Sequence, residues 1–416
     1  MARFIRVLFT AILISTSTQA TIIYVPTTYS AIQDGIDAAS YGDTVLVERG
    51  EYQEAVNFWN TGVTLASRYI LTGDYTDIDS TIIDGAYWGT AVFFSDAIDQ
   101  STLLIGFTIR HGWDYGISSV GSPIVRYNII EQNYGPEDGS GAGVFWSIGY
   151  MTLDHNIIRS NFGYRGAAIY AEECSGEVHH NLIVGNTSEI DCPAVLFNAC
   201  DTIQIYNNTI CDNLSSGTSY GSIYVSDYVS IMVVYNNIIT YNSTGIGSDA
   251  TGEIMLEYND VFNNIDSDYY NLSAGITDIA LDPLFAGGSP YDYHLTEYSP
   301  CIDAGSPSSE PDPDGSISDM GAYYYYISGS CNYVSGDING SGVANGVDVT
   351  YGVSYFKGGV NPPISCICGS HGTLFVAGDV NGDCNFNGID IAYYVSYLKG
   401  GASLRYCSDC PANATR

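Results

Sequence analysis

Asn156-Ile-Ile-Arg-Ser-Asn161 is one of six copies of a short motif: Asn, two residues of which the second is Ile or Val, two more residues, and a second Asn. The other copies begin at Asn128, Asn181, Asn208, Asn237 and Asn259. Within a copy the two Asn are five residues apart, but successive copies begin 28, 25, 27, 29 and 22 residues apart. A fixed motif with connections of variable length is typical of a solenoid, in which every turn returns to the same place.

Apolar residues keep a fixed distance from the first Asn of each copy. Three residues before it stand Val125, Leu153, Val178, Ile205, Val234 and Leu256, and two residues after it stand Ile130, Ile158, Ile183, Ile210, Ile239 and Val261. This pattern predicts stacked parallel strands with one interior stripe, about 4.8 Å apart. At that spacing each Asn amide can hydrogen-bond the Asn of the next coil.

The segment before the repeats indicates how the open end of the sheet stack is covered. Ile32, Ile36 and Ala39 have helical spacing within residues 29–40, and a helix there would cap the solenoid. Residues 42–48 follow as the first predicted strand. The fold class is therefore all-β: a parallel β-helix with an N-terminal capping helix.

Two segments carry a resemblance to a known fold family. They are Ala31-Ile-Gln-Asp-Gly-Ile-Asp-Ala-Ala-Ser-Tyr-Gly-Asp-Thr-Val-Leu-Val47, and Ser299-Pro-Cys-Ile-Asp-Ala-Gly-Ser-Pro307 with the later Asp314–Gly321. Residues 22–325 resemble the secreted right-handed parallel β-helix proteins of the pectin-lyase-like fold. The resemblance implies the fold and leaves the activity open, because this fold carries lyases, hydrolases, epimerases and non-catalytic binders.

Composition limits the partners of the chain. It has 12 Lys and Arg against 46 Asp and Glu, a formal net charge of −34. This excludes nucleic acid, which requires clustered basic residues, and favours divalent cations. Met1–Ala20 has the pattern of a secretory signal peptide with cleavage near Ala20, and no segment is long and apolar enough to span a membrane. We expect a secreted or cell-surface protein whose 11 cysteines form bridges.

The tail contains a second repeat, with an offset of 42 residues. Asp337–Asp348 parallels Asp379–Asp390, and both carry oxygen-bearing residues at loop positions 1, 3, 5, 9 and 12. That spacing is typical of calcium loops, in which position 7 contributes a main-chain carbonyl. Apolar residues at helical spacing follow each loop, and each stripe ends at Lys-Gly-Gly, which predicts two short helices.

This tail resembles a type I dockerin, the paired calcium-loop module that binds cohesin domains. With the signal pattern and the β-helix resemblance, this resemblance divides the chain into a signal peptide (1–20), a β-helix domain (21–328) and a small α-helical dockerin-like calcium-binding domain (329–416). Carried over by position, the Ca²⁺ ligands are Asp337, Asn339, Ser341, Val343, Asn345 and Asp348 in the first loop, and Asp379, Asn381, Asp383, Asn385, Asn387 and Asp390 in the second.

The tail also departs from that pattern. Ser341 replaces an acid, so we expect the first loop to bind calcium more weakly. Cys384 replaces the glycine at position 6, which puts the turn of the second loop in question. Zinc at Cys366 and Cys368 with Cys407 and Cys410 is an alternative to disulfides, which an exported protein favours.

One outward-facing column of the coils predicts chemistry. Arg126, Asp154 and His179 each stand two residues before a ladder Asn, on neighbouring coils. Arg126 would bind a uronate carboxylate, His179 would act as the base, and Asp154 would orient it. A second column places Glu131 and Arg159 where they would bind substrate or pair with each other. The alternative for both columns is a surface ladder of ion pairs.

A row of aromatic residues predicts sugar binding. Phe145, Tyr170 and Phe197 each stand eleven residues before a ladder Asn and would face outward by strand alternation. Such a row fits the apolar faces of sugars, and burial under the loops is the alternative. Cys174 and Cys200 have nearly the same phase on successive coils, where a structural bridge can form.

These features predict a secreted, polysaccharide-active protein of the lyase or glycosidase type, with an acidic glycan as one candidate substrate. The dockerin-like module would tether it to a cohesin-like domain or cell-surface scaffold. The alternative function is a non-catalytic glycan-binding, adhesion or structural β-helix protein.

Overall fold

The structure is a computed structural model that describes residues 20–136, 139–287, 292–313, 316–325, 333–368, 373–407 and 410. The predicted signal segment, apart from Ala20, lies outside these residues, as does Cys331. Among the described residues no helix is both long and apolar enough to cross a membrane.

Three stacks of parallel strands, which we name sheets A, B and C, form a parallel β-solenoid. In sheet A the strands are Val56–Phe58, Val92–Phe94, Ile117–Ser119, Val144–Ser147, Ile169–Glu172, the first halves of Val195–Tyr206 and Ile223–Tyr235, Thr244–Ser248 and Ser267–Tyr270. In sheet B they are Ile22–Val25, Thr44–Val47, Thr64–Ser67, Leu103–Ile105, Ile124–Arg126, Tyr150–Asp154, Ser175–His179, the second halves of Val195–Tyr206 and Ile223–Tyr235, and Thr251–Glu257.

Sheet C follows sheet B after a two-residue turn in every coil except those that begin at Ile22–Val25 and Thr64–Ser67, which are followed by helices. Its strands are Gly50–Gln53, Thr81–Asp84, Thr108–Arg110, Ile129–Glu131, Ile157–Arg159, Leu182–Val184, Thr209–Cys211, Ile238–Thr240 and Asp260–Phe262. A short parallel sheet of Phe162–Arg165, Thr187–Asp191 and Leu214–Ser215 lies in the turns that lead from sheet C back to sheet A. The interior stripe predicted from the sequence is confirmed, because Val125, Leu153 and Ile130 are fully buried in one continuous core.

The two Asn of each motif form two buried ladders, as the sequence predicts. In both ladders each side-chain Nδ2 donates to Oδ1 of the Asn on the next coil, at 2.9 to 3.2 Å. The same Oδ1 also accepts the backbone N–H of the preceding Asn, as between Asn181 and Asn208 (3.0 Å). The residue before the first Asn has a positive φ, 54° at both His155 and His180, which turns the chain from sheet B into sheet C.

A helix over Ile32–Ala38 covers the N-terminal end of the solenoid, as predicted, and buries Ile32 and Ile36 against the core. The prediction that the first strand lies at residues 42–48 was wrong by one strand. Ile22–Val25 comes first and pairs in parallel with Thr44–Val47, and the helix connects the two. Two shorter helices, Tyr69–Thr72 and Tyr75–Ser80, precede the second strand of sheet C.

The tail contains the two predicted helices, Gly346–Phe356 and Gly388–Leu398, each ending at its Lys-Gly-Gly. Ile338, Val380 and Tyr394 are buried between the two repeats. A small antiparallel pair joins Cys366–Ile367 to Thr373–Leu374. Disulfides link Cys368 to Cys410 and Cys384 to Cys407, and Cys366 is also disulfide-bonded. The expectation that the cysteines form bridges was wrong for five buried residues of the solenoid part, which are free thiols: Cys174, Cys192, Cys200, Cys211 and Cys301.

Candidate functional site: a groove on the outer face of sheet B

The outward column of sheet B contains the three residues predicted to be catalytic. Arg126 pairs with Asp154 in the strand register, Asp154 pairs with His179, and His179 pairs with Tyr206. The three side chains therefore lie on neighbouring coils, as the motif spacing predicts. Their contacts differ from the predicted roles.

Arg126 and Asp154 form a bidentate ion pair. Nε of Arg126 lies 3.0 Å from Oδ1 of Asp154, and Nη2 lies 2.8 Å from Oδ2. Burial by itself would raise the pKa of Asp154, but the neighbouring His155 and the Arg126 guanidinium together hold that pKa below its ordinary value. Arg126 is thus already neutralised by a carboxylate of the protein, so the proposed uronate contact would have to compete with Asp154.

His179 contacts a different carboxylate from the one predicted to orient it. Its Nδ1 lies 3.0 Å from Nδ1 of His180, and its Nε2 lies 4.0 Å from Oε2 of Glu177. The imidazole stacks on the ring of Tyr206, with centroids 4.6 Å apart. Burial lowers the pKa of His179, although the charge of Asp154 opposes that shift, so the ring is neutral near pH 7.

Glu177 is a site residue that the sequence reasoning missed. Its two oxygens accept hydrogen bonds from the hydroxyls of Tyr150 (2.5 Å) and Tyr206 (3.1 Å). Burial and the bond to Glu177 raise the pKa of Tyr150 to about 12, so this phenol remains a donor. Counting back from the ladder Asn, which located Arg126, could also have found Glu177. Glu177 stands four residues before a ladder Asn and therefore lies on the same outer face.

Beside Glu177 lies an open groove of about 880 Å³. It is lined by Asp99, Gln100, Ser101, Ser122, Ile124, Tyr150, Thr152 and Glu177. Asp99 is held in a turn, where the backbone and side chain of Ser101 and the hydroxyl of Thr61 donate to it. These hydrogen bonds lower the pKa of Asp99. The groove therefore offers two carboxylates and a phenol, and the His179 imidazole lies 4.0 Å from one oxygen of Glu177.

In the second predicted column, on sheet C, neighbouring side chains form ion pairs with one another. Nε of Arg159 lies 2.7 Å from Oε2 of Glu131. Arg110, on the preceding coil, pairs with Asp84 at 3.0 Å and with Glu51 at 3.2 Å. This arrangement matches the ion-ladder alternative, in which neighbouring coils carry opposite charges.

The predicted aromatic row needs one correction. Phe145 and Tyr170 are paired on sheet A with stacked rings, but Leu196, not Phe197, is the partner of Tyr170. The connection to the ladder Asn is one residue longer in that coil, so Phe197 points inward and is fully buried in the core. Tyr170 is 8% exposed and packs with Leu196 and Tyr224, which favours the alternative of burial for this row.

The calcium-loop residues converge in the second loop of the tail. Carboxylate oxygens of Asp379, Asp383 and Asp390 lie within 4.8 Å of one another, and Asp379 and Asp390 are fully buried. Burial, with the neighbouring carboxylates, raises the pKa of Asp390 to about 6. Clustered buried carboxylates with raised pKa values fit a divalent cation, which would supply the missing positive charge.

The first loop has the same shape with less charge. Asp337 accepts the backbone N–H groups of Ser341 and Gly342, at 2.9 and 2.6 Å, and Asp348 accepts that of Asn345 at 2.9 Å. At position 6, Gly342 and Cys384 have positive φ angles of 87° and 60°, so Cys384 preserves the turn that its identity put in question. The disulfides of Cys366, Cys368, Cys384, Cys407 and Cys410 leave no thiolates for the zinc alternative among the described cysteines of the tail.

The comparisons with known proteins find similarity only in the path of the backbone. No protein-family model matches the sequence, and no curated protein matches it. Among solved structures, pectate lyase Pel9A superposes with a TM-score of 0.41 and 12% identity, covering 74% of this chain and 97% of that one. A pectin methylesterase from Aspergillus niger superposes with a TM-score of 0.28 and 15% identity, covering 64% of this chain and 93% of that one. At these values neither similarity bears on activity.

Proposed function

We propose that this chain is a polysaccharide-active protein whose glycan lies in the groove on the outer face of sheet B. The observation that carries the proposal is the Glu177 carboxylate, held by the hydroxyls of Tyr150 and Tyr206 beside the neutral imidazole of His179. Carboxylates, a phenol and an imidazole fixed by hydrogen bonds at an open groove are the groups that transfer protons at glycosidic oxygens.

The charge of the surroundings favours a neutral glycan over an acidic one. Asp99 and Glu177 both line the groove, and the nearby Arg126 is occupied by Asp154. Each of the six arginines in the described part of residues 20–325 lies within an ion pair with a carboxylate of the protein. A uronate would meet net repulsion here, whereas a neutral sugar would meet hydrogen-bonding partners.

The proposed reaction is hydrolysis of a glycosidic bond. The Glu177 carboxylate takes a proton from water as the oxygen of that water bonds to the anomeric carbon. As the glycosidic bond breaks, the hydroxyl of Tyr150 gives its proton to the leaving oxygen and takes the proton held by Glu177 through their hydrogen bond, which restores both groups. Asp99, whose pKa is lowered by its hydrogen bonds, accepts hydrogen bonds from sugar hydroxyls. Water is consumed, and the two products are a reducing sugar and a free hydroxyl.

The test uses the full-length protein on neutral polysaccharides (xylan, cellulose, galactan) and on polygalacturonate, with product analysis by chromatography. Glu177→Gln should reduce turnover of the neutral substrate at least 100-fold, because it replaces the carboxylate base by an amide that cannot take up the proton. The matched control is Glu257→Gln, an exposed carboxylate three coils beyond His179 in the same column, which should leave turnover unchanged. Turnover of polygalacturonate alone, or equal losses in both variants, would contradict the proposal.

The tail supports a tethering role that we propose with it. The clustered carboxylates of the second loop, the similar shape of the first, the helix after each loop and the disulfides on either side of the second helix support a calcium-dependent dockerin-like module in a secreted protein. Asp337, Asp348, Asp379 and Asp390 would hold Ca²⁺, which would fix the loops against the helix N-termini. We expect a calcium chelator to abolish binding to an immobilised cohesin domain and added calcium to restore it. Binding that is unchanged by the chelator would contradict this role.

A non-catalytic glycan binder is the second candidate function. It is favoured by the ion pairing of Arg126 and Arg159, which serves stability and leaves no free cation for catalysis in either column. Binding of a neutral glycan with unchanged substrate after prolonged incubation would select it over the hydrolase.

A further inference from the structure

Four exposed aromatic side chains form a column along the turns that lead from sheet C to sheet A. They are Tyr87, Trp113, Tyr134 and Phe162, which we name the aromatic ridge. Each stands three residues after the last residue of a sheet C strand, on four consecutive coils. Their exposed fractions are 47%, 54%, 39% and 39%. The ridge is separate from the groove on sheet B and from the aromatic row on sheet A.

The backbone fixes the positions of these rings. Tyr134 and Phe162 form a parallel bridge, and the N–H groups of Trp113 and Tyr134 donate to carbonyls of the preceding coil at 2.8 and 2.9 Å. The column therefore rises with the strand spacing of about 4.8 Å. The Trp113 and Tyr134 rings are stacked with centroids 5.9 Å apart, and Tyr134 lies 5.9 Å from Tyr87 and 6.3 Å from Phe162.

The ridge differs in charge from the rest of the protein. Its four members are uncharged, and the next two positions of the column, Thr187 and Leu214, are also uncharged, whereas the whole chain has a formal net charge of −34. A single exposed aromatic residue is ordinary on a soluble protein, but a contiguous strip of rings requires a reason. Flat rings with polar Tyr and Trp tips fit a ligand that has one apolar face and hydroxyl groups at its edges.

We infer that the aromatic ridge binds a neutral polysaccharide chain that runs along the solenoid axis and packs the apolar faces of its sugars across the exposed parts of the clustered rings. Single-stranded nucleic acid also stacks on aromatic residues but needs a basic groove, and the six arginines of the described solenoid are all ion-paired. For the same reason, the described solenoid offers no unpaired arginine to bind the carboxylates of an acidic glycan. The inference shares its ligand class with the proposed function, yet it needs no reaction in the groove.

The test measures binding of the full-length protein to insoluble cellulose, xylan and mannan, with polygalacturonate as the acidic probe. Trp113→Ala and Tyr134→Ala should each weaken binding to the neutral polysaccharide about ten-fold. Trp59→Ala is the matched control, because Trp59 is 58% exposed and lies outside the ridge, against Phe93. It should bind as the unmodified protein does, and circular dichroism melting should confirm that all three variants are folded.

Two further measurements distinguish glycan binding on the ridge from activity in the groove and from self-association through the exposed rings. Glu177→Gln should lose turnover and keep its binding to the insoluble polysaccharide, so failure of the groove proposal and failure of the ridge proposal give different results. Sedimentation velocity should show the same mass for the Trp113→Ala variant and the unmodified protein. The inference is overturned by equal losses in Trp59→Ala and Trp113→Ala, by binding to none of the neutral probes, or by a change in self-association in place of glycan binding.

Discussion

Asn259 ends the first Asn ladder on a carboxylate: its side-chain Nδ2 and its backbone N–H donate to Oδ1 of Asp278 at 3.1 and 2.9 Å. The other oxygen of Asp278 accepts from the N–H of Gly275 (2.8 Å) and the hydroxyl of Tyr269 (2.9 Å). A carboxylate only accepts hydrogen bonds, so it terminates a ladder without needing a further acceptor. The second ladder ends in the same way, with Asn264 donating to Asp268.

Removing this terminal acceptor should loosen the last coil. We expect Asp278→Ala to lower the free energy of unfolding by about 2 kcal/mol, because two donors of Asn259 lose their partner in a partly buried turn. Asp278→Asn retains Oδ1 for Asn259 but sets its amide –NH₂ against the N–H of Gly275, so it should cost about 1 kcal/mol. Urea unfolding followed by circular dichroism measures both. An alanine variant as stable as the asparagine variant would mean that water replaces the carboxylate at no cost.

Much of this architecture follows from the sequence because the Asn motif fixes the phase of sheets B and C. The buried stripe, the ladders and the column of Arg126 and His179 all lie within a few residues of a ladder Asn, where the coil has constant length. Phe197 lies eleven residues away, across a connection that gains one residue in its coil, so the count placed it on the wrong face. The groove escaped prediction because Asp99, Gln100 and Ser101 reach it from a turn whose length the Asn motif does not fix.

Charge in the calcium loops should set their order of affinity. The first loop has carboxylates at Asp337 and Asp348, and the second adds Asp383, so calcium should fill the second loop first. Ser341→Asp should tighten the first site about ten-fold, and Asp383→Ser should weaken the second by a similar factor. Isothermal titration calorimetry on the full-length protein measures both steps. The assignment of the ligands would be contradicted if the two sites had equal calcium affinity and neither substitution changed it.

Chelation should affect the two parts of the chain differently. Calcium that binds folded loops stabilises them by mass action, so its removal should increase hydrogen exchange in residues 333–368 and 373–407. The solenoid derives its stability from the core and the Asn ladders, and residues 44–262 should keep their protection. Hydrogen exchange read by mass spectrometry, with and without a calcium chelator, resolves the two regions. Identical exchange of the tail in both conditions would contradict calcium binding.

A buried acid gives the solenoid a pH dependence of stability. Asp260 is fully buried, its oxygens accept from the N–H of Leu281 and the thiol of Cys301, and burial raises its pKa to about 6. Because the unfolded value is 3.8, folding takes up a proton between these values, and the stabilisation present below pH 4 is lost as the pH rises through 6. Asp260→Asn should flatten this dependence and be more stable than the unmodified protein at pH 7. Denaturant unfolding at pH 4.5 and 7 tests it; parallel curves for the two proteins would refute it.

Cys174 and Cys200 are placed to form a bridge between successive coils. Their Sγ atoms lie 3.6 Å apart as free thiols in the core, and closing to a bond of about 2.05 Å needs a small side-chain shift. We expect a disulfide oxidant to take two electrons and two protons from the pair. Alkylation and peptide mass spectrometry after oxidation should find this crosslink, with Cys211 still alkylated as the control buried thiol. Alkylation of both Cys174 and Cys200 after unfolding of the oxidised protein would rule the bridge out.

Arg126→Ala distinguishes a structural ion pair from a substrate contact. The substitution leaves the buried carboxylate of Asp154 without its bidentate partner, so the free energy of unfolding should fall by about 2 to 3 kcal/mol, less than for a fully buried pair because Arg126 is 39% exposed. The double substitution Arg126→Met with Asp154→Leu removes both charges and should recover most of that loss. Affinity for neutral glycan in the groove should change little once the protein is folded. A large loss of glycan affinity in the stable double variant would instead indicate that Arg126 binds the substrate.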